Sequence, residues 1–145
     1  MKRALVVLVL LGIATGCVSP SWTDRDYQLK AGHSADQVVS SIATAQLGAK
    51  AGKEHKATQA YLSVLIGAAE KDALSVQGTF DSIQPPSKKA DELRDELDVL
   101  LSDATAGLAT LRIAVRRGDL DQLSVLAGSL QTTLEQLRAL AERYA

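Results

Sequence analysis

Thiols, large rings and helix breakers are scarce in this chain. Cysteine occurs once, at Cys17, so no disulfide can close within the chain. Methionine occurs only as Met1 and histidine only as His33 and His55. That leaves no ligand set for haem or copper, and two histidines alone do not make a zinc site. Aromatic residues are 3% of the sequence, too few to wall a large ligand pocket. The prolines are Pro20, Pro85 and Pro86, so long stretches run without one. No Glu-x-x-His pair occurs, no Gly-rich phosphate loop, and no recognisable Ser, His and acid order. Strand-like alternation is missing throughout.

What is present begins at the start. Lys2 and Arg3 are followed by an apolar run from Ala4 to Ala14, then by Thr15-Gly16-Cys17. A basic start, a short apolar run and small residues are the layout of a secretory signal. The run is well short of the roughly 20 residues a spanning helix needs. The stretch ends on Cys rather than on an Ala-x-Ala site. It resembles the signal and lipobox of bacterial membrane lipoproteins, over residues 1–17 only. Ala14 stands where Leu is usual, with Ile13 one step earlier. The resemblance implies cleavage before Cys17 and attachment of lipid, including a fatty acyl chain such as palmitate, to its sulfur. A thioether needs a thiol, so no other residue type serves at this position.

The expected division is therefore a signal peptide over 1–16, a lipidated Cys and tether over 17–22, and a domain over 23–145. Losing residues 1–16 removes Lys2 and Arg3, so the 16 basic residues fall to 14 against 17 acidic, a net charge near −3. With no basic excess, no nucleic-acid partner is expected. Pro20 in the tether blocks a helix from running back toward the lipid. Trp22 and Tyr27 follow at once. Two readings stand for them: rings at the headgroup level of a membrane, or rings packed on the end of the domain.

Four helical stripes are legible. The first, over about 24–50, carries Ala31, Ala35, Val38, Ile42, Ala45 and Ala49 and crosses Gly32 in phase. Thr23 or Ser34 can cap it, and Gly48 and Gly52 are expected to end it. The second, over about 57–83, carries Leu62, Leu65, Ala69, Ala73, Val76, Phe80 and Ile83. Gln84-Pro85-Pro86 stops it, and Ser87 can cap the next. The third, over about 88–117, carries seven residues from Leu93 to Val115, with acids in its first turns and arginines in its last. Gly118 is a left-handed terminator and Asp119 a cap. The fourth, over about 120–144, has full heptad spacing from Leu120 to Tyr144. The expected fold is all-α, an antiparallel up-down-up-down four-helix bundle.

Candidate chemistry is thin. Glu70 and Asp72 flank the second stripe, Asp98 and Asp103 the third, and a solvated helix surface explains all four. Arg117-Gly118-Asp119 spells an adhesion tripeptide, but termination and capping account for its Gly and Asp. No catalytic residue, cofactor or metal is expected, and no enzymatic activity. The Ala-rich helices, signal and small size look similar to small uncharacterised lipoproteins of high-GC Gram-positive bacteria. The resemblance places the domain on the extracytoplasmic face of the cell membrane, or on the outer membrane if the cell has two. Two roles follow. One is a protein-interaction or structural module meeting an envelope partner. The other is a small-ligand-binding or sensor accessory lipoprotein. Val39, Leu47, Val64, Ile66, Leu101, Ile113, Val125, Leu126 and Leu140 lie off the main stripes. They either widen the buried stripes or form a partner face.

Overall fold

A computed structural model describes residues 21–145. Cys17 and the leader lie outside the described residues. The described chain is all-helical, with no strand. The helices are α1 (Asp24–Lys53), α2 (Gln59–Asp81), α3 (Lys88–Arg117), α4 (Leu123–Ser129) and α5 (Gln131–Arg143), and a 3-10 turn at Leu120–Gln122 leads into α4. Among the described residues no helix is long and apolar enough to cross a membrane.

Side-chain caps start the three long helices. Thr23 Oγ1 accepts from the Asp26 N–H at 3.1 Å, Thr58 Oγ1 from Tyr61 at 3.3 Å and Ser87 Oγ from Ala90 at 3.2 Å. Each such bond satisfies a donor that the first turn leaves orphaned, worth about 1 kcal/mol. The Thr58 cap explains why α2 begins at Gln59, slightly later than the expected start near residue 57. α3 ends at Gly118, whose φ of 80° is the left-handed conformation glycine adopts without penalty. Asp119 makes no side-chain cap bond, so that expectation fails. The turn after Gly118 is 3-10, and its backbone bonds close without a carboxylate.

Two further expectations are corrected. Gly48 and Gly52 do not end α1. The helix runs through both, and through Gly32, to Lys53, and the left-handed residue after it is His55, with φ 55°. The glycines sit there because of neighbours. A Cβ on Gly52 would lie 2.7 Å from Leu62 Cδ1, and one on Gly48 2.8 Å from Leu65 Cδ2. The fourth stripe is likewise not one helix. It breaks at Leu130, whose ψ of −4° lies at the edge of the right-handed helical region and whose N–H turns to the Ala127 carbonyl at 3.3 Å. Gly128 weakens the helix there, and the Ser129 hydroxyl donates to the Leu126 carbonyl at 2.7 Å, competing with the backbone ladder. The stripe survives the break, since Leu123, Ala127, Leu130, Leu134 and Leu137 are all buried.

α1 packs against every other helix. Along α1 and α2, Gly52 meets Leu62 and Gly48 meets Leu65. Across α2 and α3, Gln59 Nε2 donates to the Val115 carbonyl at 2.8 Å and Gln77 Nε2 to Ser102 Oγ at 3.1 Å. Along α1 and the last two helices, Gln46 Nε2 reaches the Ala127 carbonyl at 3.1 Å, while Gly32 lies against Tyr144. In each pairing, residue numbers rise on one helix as they fall on the other. The core between them is mostly Ala and Leu; Tyr27 and Phe80 are its fully buried rings among the described residues, tilted against each other with centroids 5.4 Å apart.

Candidate functional site

Three features of the described residues bear on what the domain can do. The first is the end where the chain enters. Ser21 is buried and accepts from Lys30 Nζ at 3.1 Å, and Lys30 Nζ also reaches Asp26 Oδ2 at 2.9 Å. The ammonium holds the Asp26 carboxyl below the usual carboxylate range. Thr23 caps α1 two residues after Ser21. Trp22, between these fixed neighbours, is 84% exposed. Tyr27, one turn on, is 0% exposed. The two aromatics that the sequence treats alike are therefore separated: one is core, the other stands in water. The α2–α3 loop and the C-terminus share this end. Ser87 Oγ donates to Asp24 Oδ1 at 2.7 Å, and Arg25 Nη2 reaches the Ala145 carbonyl at 3.5 Å.

The second is a groove of about 510 Å³ between α1 and α2. Ser40, Ser41 and Thr44 form one wall, Ala68, Ala69 and Ser75 the other, with Asp36 and Asp72 at its polar margin. Leu65 and Val76, on the second stripe, are only half-buried because they form the apolar part of this lining. Small side chains leave the space, since a Ser or Ala cannot fill the gap that a Leu would. Sequence reasoning missed this groove. Its signal was available as Ser40-Ser41, Thr44 and Ala68-Ala69, small residues spaced about one turn apart.

The third is an ion pair across α2 and α3. Arg112 Nη2 donates to Glu70 Oε1 at 3.1 Å, and Nε donates to Oε2 of the same carboxylate. Glu70 is buried and fully engaged in this fork, so it is not free for acid–base work. No sequence spacing points to a pair separated by 42 positions. Asp72 lies in the groove, while Asp98 and Asp103 are exposed on α3 and no described contact brings them together. His33 is exposed and its Nε2 lies 2.7 Å from Gln37 Nε2. His55 stands in the turn beyond α1, some 22 residues and roughly 33 Å of helix away. Among the described residues no group of three or more His, Cys, Asp or Glu is placed to hold a metal.

The residues lying off the main stripes divide. Val39, Ile66, Leu101 and Leu140 are buried and widen the core, Leu126 is half-buried against it, and Leu47, Val64, Ile113 and Val125 stay exposed, the last at 74%. No family model, curated protein or solved structure matches the chain.

Proposed function

We propose that the chain is a lipid-anchored extracytoplasmic module of the cell envelope, non-enzymatic, that presents helix faces to a protein partner. In this reading the leader is cleaved before Cys17, and a diacylglyceryl group joined to that sulfur as a thioether holds the domain at the cell membrane, or at the outer membrane of a cell with two. The domain is an antiparallel up-down-up-down four-helix bundle in which α4 and α5 together fill the fourth position. The opposed residue order of α1 with α2, of α2 with α3, and of α1 with α4 and α5 supports that topology.

One observation carries the partner role. After the core has closed, α1, α2, α3 and α4 each leave a large apolar side chain in water: Leu47, Val64 and Leu74, Val99 and Ile113, and Val125. Anchoring matters to such a surface. Confinement to one plane raises the local concentration of a membrane-bound partner, so modest contact areas suffice. The ligand-binding reading rests on the α1–α2 groove. It is a groove open to water, with small polar side chains on one wall and mostly apolar ones on the other, rather than the enclosed apolar pocket that is the usual form of a small-molecule site.

Cys17→Ser tests the anchor. It should abolish incorporation of labelled palmitate and move the protein from the membrane fraction to the soluble one; unchanged labelling overturns the proposal. Crosslinking in intact cells, from photoreactive residues placed at Val64 and Val125, tests the partner role. A discrete product from either position supports it, and only diffuse products from both would remove it.

A further inference from the structure

We propose that Trp22 seats in the headgroup layer of the membrane, so that the end of the domain where α1 begins faces the lipid. The inference rests on the anchoring of Cys17 proposed above and adds which surface of the domain the membrane touches.

The indole is the most exposed large apolar side chain described, at 84%, and it is the chain's only tryptophan. It is not at a loose end. Buried Ser21 on one side and the capping Thr23 on the other fix the backbone that carries it. The domain had a place for a ring at this end and used it for Tyr27 against Phe80. Trp22 was left outside that packing.

Chain length supplies the second argument. Trp22 stands five positions after Cys17, and five residue steps span at most about 18 Å whatever path they take. An acylated Cys17 has its sulfur at the membrane surface, so the backbone that carries the indole is held within about that radius of the headgroups. Indole, with an apolar body and one N–H donor, favours the boundary between lipid and water. A protein partner would need to approach through the same narrow gap.

Charge does not choose the lipid. Exposed Arg25, Lys88 and Lys89 stand at this end, but so do Asp24, Asp81 and Asp91. Seating should therefore occur on zwitterionic lipid and change little with salt.

A single tryptophan makes the test direct. The full-length acylated protein is purified from membranes and reconstituted into phosphatidylcholine vesicles, some carrying bromine at known depths along the acyl chains. Expected are emission shifted to shorter wavelength relative to the Cys17→Ser protein in water, and quenching strongest with bromine nearest the headgroups. Three results overturn the inference. Emission unchanged from water in protein that floats with the vesicles leaves the anchor standing and removes the Trp22 contact. A shift to shorter wavelength without bromine quenching means the ring is covered by protein, such as a second copy. Purified protein that carries no acyl group and does not float removes the Cys17 anchor, and the inference with it.

Discussion

The two ends of α1 fill the space beside α2 in opposite ways. Near its start, Tyr27 lies against Phe80, and two large rings occupy the gap. Near its finish, Gly48 and Gly52 offer no side chain at all, and Leu65 and Leu62 press toward the bare backbone. Ring against ring tolerates space; leucine against glycine demands contact. A stripe of apolar residues specifies which side of a helix is inside. It does not specify how closely the backbone of the next helix approaches, and that is set by the smallest residue at each level.

The largest expected effect is at the aromatic end. Phe80→Ala deletes a ring that is 0% exposed and should destabilise the domain by about 3–5 kcal/mol in urea denaturation, through lost burial and the cavity left beside Tyr27. A loss under about 1 kcal/mol would mean that the ring is not packed as described.

Tyr27→Phe should act the other way. The Tyr27 hydroxyl is buried without a hydrogen-bond partner among the described residues. Deleting it should raise stability by about 1–2 kcal/mol. Burial also pushes the Tyr27 phenol up, from 10.0 to about 12. The folded state thus favours the neutral ring. That preference is fully present below pH 10 and is lost as pH rises toward 12. Alkaline unfolding of the wild-type domain, followed by circular dichroism, should begin in that interval and move upward in Tyr27→Phe.

At the glycine end the effects are smaller and should differ from each other. Gly52→Ala drives Leu62 Cδ1, whose side chain is fully buried and adjoins Leu123. Overpacking here should outweigh the roughly 1 kcal/mol that Ala gains over Gly in a helix, for a net loss of about 1 kcal/mol. Gly48→Ala meets only the tip of half-buried Leu65, which can swing into the α1–α2 groove. Its melting temperature should match or exceed the wild type. Equal losses from both variants would break the contrast between the two leucines.

Much of this architecture was legible because burial follows periodicity. The three long helices, the caps at Thr23 and Ser87, the terminator Gly118 and the core role of Phe80 all rest on local rules, each settled within a few residues. What was missed depends on residues far apart in the chain. Nothing near Gly48 announces Leu65, and a glycine followed by charges reads as a helix end. The heptad spacing after Asp119 reads as one rod, because a break at a single residue leaves the stripe in phase. The α1–α2 groove and the Glu70–Arg112 fork exist only once two helices lie side by side. Trp22 and Tyr27 differ by exposure alone, which neighbouring sequence does not encode.

The account turns on the sulfur at Cys17, because the proposed membrane address, the proposed orientation of Trp22 and the proposed meeting with a partner all depend on it. Intact-mass spectrometry of the protein extracted from its native membranes addresses this directly. The expected chain starts at Cys17 and carries extra mass equal to a diacylglyceryl group, with or without a further acyl chain. A chain that retains its leader, or that starts at another residue with an unmodified thiol, would contradict it.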